Sequence, residues 1–385
     1  MLMIIILFLV ILSVLVFVHE LGHFVVARKL GMRVHEFGFG FPPRALGISK
    51  NPKTGKWNFV CPKVNKLPTT IYSINWIPLG GFVRIKGEDG GERRDPDSFT
   101  MKSPLARIAV LVAGVSMNFF LAWIIFSLVF MIGTPQSVSD EEKYVENAVV
   151  QIANIAPESP AEKMGLRVGD VVKGLCYDTD MPWVTVNTVD DVKEYIDKNK
   201  GKEIKLLVER GEKDMEFKGV PRESTPEGQG ALGVELLRTK VVSYPWYEAM
   251  GKAFLTVINF IGLIFLAFFG LLKSLLTTGS APADIAGPIG IAFYTKQVAD
   301  LGLVYVLQFA AVLSVNLGII NILPIPALDG GRVLFVLIEV IKGSPVSQKF
   351  EQTTHAVGFA LLLLLMVVVT FFDFIRFDII GKLFS

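Results

Sequence analysis

The first eighteen residues, Met1 to Val18, carry no charge, and Phe24, Val25, Val26 and Ala27 extend the apolar run beyond a short polar interruption. That length suffices to cross a bilayer as a helix. Neither a basic start nor a small-residue cleavage site precedes Glu20, so the segment reads as a retained anchor and not a cleaved signal peptide. Four more apolar stretches follow, near 105–133, 253–272, 303–323 and 356–372. With 51% hydrophobic residues and a mean hydropathy of +0.50, the chain reads as a polytopic membrane protein carrying polar domains.

The net charge of +2 hides an asymmetry: residues 24–103 hold 14 Lys/Arg against 6 Asp/Glu, whereas residues 134–250 hold 15 against 22. Basic short loops stay in the cytoplasm, which places the first loop there. That loop alternates apolar residues with glycine turns, as in "IYSINWIPLGGFVRIKGEDG", and predicts β structure. Residues 145–240 predict a compact soluble domain, with strands in "AVVQIANI" and "KEIKLLVERG" and a helix in "TVDDVKEYIDKNKG". Cys61 and Cys176 fall in different loops and are not expected to pair.

The interruption in the first run is "VHELGHF", residues 18–24. On a helix, His19 and His23 lie on one face and can offer two imidazoles to one Zn2+, with Glu20 beside them. A bound metal lowers the pKa of water toward about 7, and a glutamate so placed can take that proton and pass it to a leaving amine. Burying ionisable groups merely to glue helices together is costly in membrane. The helical rise brings His19 about 27 Å from Met1, toward the cytoplasmic side.

A catalytic zinc takes three protein ligands and keeps one position open. Val26 and Lys29 occupy the glycine and third-histidine positions of the extended soluble-protease pattern, and His35 and His355 read as structural. The remaining candidate is Asp329 in "SVNLGIINILPIPALDGGRVLF", where an apolar helix breaks at two prolines; capping of the following helix is its alternative role. For His19, His23 and Asp329 to meet, 105–133 must be the one return crossing. Then 253–272 cannot be a simple span and should lie along the outer surface or dip in and out.

Together, "HELGH" at 19–23, "PLGGFVRIKGED" at 78–89, "NFFLAW" at 118–123, "GPIGIA" at 287–292 and "NLGIINILPIPALDGG" at 316–331 make the whole chain resemble the site-2 proteases, zinc enzymes that cut within the membrane, of the bacterial regulator of sigma-E protease type. The resemblance implies His19, His23 and Asp329 as zinc ligands and Glu20 as catalytic acid/base. It implies that Asn316, Asn321, Pro324 and Pro326 help hold substrate, although the asparagines can equally be interhelical glue. It further implies that the loop with Gly80, Gly81 and Phe82 re-enters the membrane as a β-hairpin and clamps an unwound substrate by strand addition; a hairpin merely packed near the headgroups is the alternative. Residues 116–118, Ser-Met-Asn, stand in the stretch where relatives often have a proline, AG-P-x-x-N; Asn118 is kept and is a candidate for substrate positioning or helix packing.

"SPAEKMGLRVGDVVKGL" at 159–175 resembles a PDZ module, and only one such module fits between Val145 and Lys240. The fold expected is thus a polytopic α-helical membrane protein with four transmembrane helices, a membrane-associated β-hairpin region and one α+β PDZ domain. Its segments are a first transmembrane helix at 1–30, the β region at 31–103, a second helix at 104–133, the PDZ loop at 134–240, amphipathic or surface helices at 241–300, a third transmembrane helix at 301–335 and a fourth with the C-terminus at 336–385. The expected function is intramembrane zinc endopeptidase of a bacterial plasma (inner) membrane, with zinc near the cytoplasmic face and the PDZ domain outside. Single-span proteins such as anti-sigma factors or remnant signal peptides are the implied substrates, and a peptide tail can engage the PDZ domain; no nucleic-acid partner is expected. The rival readings are a PDZ-bearing adaptor or chaperone without turnover, and a metalloprotease of soluble or membrane-edge peptides.

Overall fold

The computed structural model describes residues 2–62, 64, 67–88, 95–139, 145–177, 182–211, 213–226, 228–278 and 286–376, so the expectation for the C-terminal tail at 377–385 lies outside the described residues. In chain order the elements are α1 (Leu2–Lys29), β1 (Val34–Lys50), β2 (Trp57–Phe59), β3 (Ile71–Ile85), a 3-10 turn (Phe99–Met101), α2 (Pro104–Ile132), β4 (Thr134–Ser137), β5 (Ala148–Ile155), α3 (Pro160–Met164), β6 (Val171–Cys176), β7 (Val184–Thr185), α4 (Val189–Lys198), β8 (Ile204–Arg210), β9 (Lys213–Gly219), β10 (Val234–Val242), α5 (Trp246–Thr278), α6 (Pro288–Leu301), α7 (Leu303–Ile322), α8 (Asp329–Lys342) and α9 (Gln348–Arg376). Among the described residues, α1, α2, α5, α7 and α9 are long and apolar enough to cross a membrane. The protein is a polytopic helical membrane protein with β-rich regions.

Two compact units emerge. The first comprises Met1–Ile125, Ala253–Thr295 and Ala310–Ser385. In it β1 and β3 are long strands that fold back on themselves: Val34 to Phe39 pair with Ile85 to Gly81, while Arg44 to Ser49 pair with Asn75 to Ile71. Phe24 and Ala27 of α1 pack with Val34, Phe37 and Ile85 of the sheet and with Val110 and Leu111 of α2 in one buried cluster. Beyond the sheet, Lys86 Nζ lies 2.7 Å from carboxylate oxygens of both Asp95 and Asp97. The adjacent ammonium holds the Asp97 carboxyl below the usual carboxylate range.

The apolar stretch at 253–272 belongs to the unbroken 33-residue helix α5, because no proline interrupts its backbone hydrogen bonding. The helix breaks at the two prolines, so the segment expected as one transmembrane helix at 301–335 holds two helices: α7 stops at Ile322, and α8 begins at Asp329. Proline cannot donate to the preceding turn, so the chain must leave and restart the helix.

The second unit comprises Phe126–Lys252 and Lys296–Phe309. Its antiparallel sheet has the order β4-β10-β5-β6-β8-β9, with β7 beside β6. Strand β8 alternates buried and half-buried residues, as expected for one covered face, and Ile204, Leu206 and Val208 join Val150, Ile152, Leu175 and Val192 of α4 in the core. A capping box, Thr188 with Asp191, starts α4. The sheet also buries a charge pair: Asp170, 0% exposed, receives Arg210 Nε at 2.6 Å and Nη2 at 2.7 Å. Removing one member of such a pair strands the other charge. Asp170→Ala is therefore expected to cost this unit about 3–5 kcal/mol, seen as a lower unfolding midpoint and faster proteolysis between residues 145 and 242; an unchanged midpoint would refute the pairing.

Candidate metal centre

Helix α1 carries His19 and His23 one turn apart, and their rings stand 4.7 Å apart edge to face. Three donor atoms converge: the two Nε2 atoms are 3.0 Å apart, His19 Nε2 is 2.9 Å from Asp329 Oδ2, and His23 Nε2 is 3.3 Å from the same oxygen. A tetrahedral zinc with bonds of 2.0–2.1 Å has ligand-to-ligand edges of about 3.3 Å. The three groups thus fit a zinc ion without large rearrangement, and their donor set, two imidazoles and a carboxylate, is one that zinc accepts. Both histidines are buried, at 5% and 6% exposure.

The surroundings hold the imidazoles in the required form. A ligating Nε2 must be unprotonated, which leaves Nδ1–H as a donor. His23 Nδ1 lies 2.8 Å from the carbonyl of Val110 in α2. His19 Nδ1 lies 3.2 Å from the side-chain amide of Asn118, whose Oδ1 is buried without a partner among the described residues. Turning that amide by half a rotation brings its oxygen to the His19 N–H, an assignment that hydrogen bonding decides. Asn118 therefore stands behind a histidine and not in open space.

Sequence reasoning missed Gly114. A Cβ there would sit 2.5 Å from His23 Nε2 and 2.7 Å from His19 Nε2, so only a bare backbone leaves room for the imidazoles on this side. The available signal was "AG" in the middle of an apolar helix, where small residues mark close approach.

On the other side, the turn between α7 and α8 presents Asp329. Gly330 and Gly331 pack directly on the carbonyls of Ile322, Leu323 and Ile325, and Pro326, lacking an N–H, cannot donate to the first of these. Ala327 adopts φ +79°, and its N–H donates to His355 Nδ1 at 2.8 Å, so His355 supports the ligand turn. The helix begins with Leu328 as a cap lacking any side-chain bond. Asp329 thus spends its carboxylate on the histidines rather than on capping.

Glu20 is half-buried beside this group and accepts a backbone hydrogen bond from Val83 of β3. The same strand lies along α1: Ser13 Oγ donates to Pro78 O at 2.9 Å, Gly80 N–H donates to Ser13 Oγ at 3.2 Å, a Cβ on Gly80 would strike Val16, and one on Gly81 would press on Phe17 at 3.1 Å. Phe82 sits opposite Gly38 in the β1–β3 register. The structure thus gathers His19, His23, Asp329, Glu20 and Asn118, and lays the Gly80–Phe82 strand against the same helix. Of the remaining candidates, Asn316 gives its amide to Val312 O in its own helix at 3.1 Å, Asn321 is half-buried, Pro324 is exposed, and Pro326 packs on Gly358 of α9.

This geometry brings together three side chains that could hold a metal ion, two of them on α1, a helix long enough to cross a membrane, with the Glu20 carboxylate beside them. The family model of peptidase family M50 matches residues 7–365, and the chain belongs to that family. It is 32% identical to a Clostridium acetobutylicum protein whose name carries the words zinc metalloprotease, over 94% of each chain. It is 30% identical to the zinc metalloprotease RasP of Geobacillus kaustophilus, over 96% of this chain and 97% of that one. Identity to the regulator of sigma-W protease RasP of Bacillus subtilis is 29%, over 96% and 97%.

Proposed function

We propose that the protein is a zinc endopeptidase that hydrolyses a peptide bond inside single-span membrane proteins, with His19, His23 and Asp329 as ligands. The observation that carries this reading is the convergence of those three donors within 4.8 Å beside Glu20. Bound zinc supplies Lewis acidity toward water and the scissile carbonyl. Glu20 takes the water proton and returns one to the leaving amine. Asn118 and Val110 keep both imidazoles in the ligating tautomer.

A helical substrate hides its carbonyls in its own hydrogen bonds and must first be extended. The strand edge at Gly81–Ile85 lies beside Glu20 and suits an extended peptide added as a further strand. Four of the long helices, α1, α2, α7 and α9, cross a bacterial plasma membrane, and α5 lies along its outer surface or dips in and out of it. The zinc site sits toward the cytoplasm, and the outer loop unit is one PDZ module that meets substrate tails or screens large outer domains. The basic first loop supports this orientation, and anti-sigma factors and remnant signal peptides are the substrates tested first.

The experiment is cleavage of a panel of single-span substrates by purified protein, before and after chelation. Chelator should abolish cleavage, and one equivalent of zinc should restore it. Cleavage indifferent to chelation would overturn the proposal.

A further inference from the structure

The strand edge beside Glu20 and the helix bearing Asp329 are joined by an ion pair that the mechanism above does not use. Past Ile85 the chain turns through Lys86 to Glu88, whose carboxylate pairs with the Arg332 guanidinium. Arg332 follows Asp329 by three residues and so shares its face of α8. Further along that face, Glu339 receives two hydrogen bonds from Arg107 of α2, at 3.0 and 2.6 Å, and Val336 between them is buried. A cavity of about 250 Å3, bordered by Glu88, Arg107, Arg332 and Glu339, separates the two pairs.

The pairs differ in what they can contribute. Arg107 is buried, and with Val336 it bolts α8 to α2. The Arg332 side chain is 32% exposed and borders open space. A pair at that exposure adds little to stability, yet it is a charged link between the turn ending β3 and the first turn of α8.

We propose that Arg332 is a positioning residue for peptide hydrolysis: through Glu88 it fixes the substrate-holding edge of β3 relative to Asp329. This rests on the strand-addition reading above. Strand register advances about 3.3 Å per residue, and a misplacement of about 1 Å can cost about 100-fold in rate. A guanidinium fork defines such a tether better than a single ammonium.

The test uses full-length protein carrying Arg332→Ala, Arg332→Lys or the exchanged pair Glu88→Arg with Arg332→Glu. Zinc content, unfolding midpoint, kcat and KM on one single-span substrate are measured for each, with Glu20→Gln as reference. Arg332→Ala should lower kcat about 10- to 100-fold while zinc content, midpoint and KM change little. Lysine should recover part of the rate and the exchanged pair most of it. Unchanged kcat would overturn the proposal, and so would a loss that tracks zinc, since Arg332 would then only support the ligand helix. Glu20-dependent cleavage by the unmodified protein establishes the reading beneath; without it both readings fall.

Discussion

Glu20→Gln should leave the protein folded and loaded with zinc, yet lower cleavage of a single-span substrate by about 10²- to 10⁴-fold, the range that general acid–base catalysis supplies. The amide preserves the shape of the side chain and can still meet Val83, but it cannot take a proton from water. Because Glu20 lies one residue from His19 and is not among the converging donors, the change separates chemistry from metal binding. The check is paired: metal content by elemental analysis and turnover on the same preparation. An adaptor without turnover would show no difference between the two proteins. A mutant that loses zinc would move Glu20 into the ligand set.

Gly114→Ala tests the site from the opposite direction. Alanine is favoured over glycine in a helix by about 1 kcal/mol, so judged on α2 alone the change should stabilise the protein. Judged on the site, the added carbon falls 2.5 Å from His23 Nε2 and displaces at least one imidazole. Disturbing even the outer support of a metal ligand costs about 10- to 100-fold in affinity, and a clash at the donor atom itself should cost no less. The expected product is a stable, zinc-poor and inactive protein, recognised by an unchanged or raised unfolding midpoint together with lost metal. Full zinc retention would show that the backbone at 114 is not part of the cradle.

The donor group was legible in the sequence because its chemistry is sparse. Ionisable residues inside apolar runs are expensive, so His19, Glu20 and His23 stand out against Met1–Val18, and Asp329 stands out after "LPIP". The long helices and the strands around 148–155 and 204–210 were legible from length and periodicity. What escaped were features created by packing between distant segments. Gly114 matters because α1 places two imidazoles against it; "AG" in an apolar helix signals a close approach but not what approaches. His355 read as structural, and its role at the ligand turn needed the fold that brings it to Ala327. A helix starting at Asp329 was expected from the sequence, but that its cap is Leu328, with the Asp329 carboxylate turned to the histidines, was not. The doubling back of β1 and β3 follows from pairing rather than from either strand's own pattern.

The central claim is that His19, His23 and Asp329 bind one zinc ion. X-ray absorption at the zinc edge of the purified full-length protein tests it most directly, with Asp329→Ala measured in parallel. One zinc per chain, with two imidazoles and oxygen donors at about 2.0–2.1 Å and a first shell altered by Asp329→Ala, is the predicted result. A shell containing sulfur at about 2.3 Å, or a spectrum indifferent to Asp329→Ala, would contradict it.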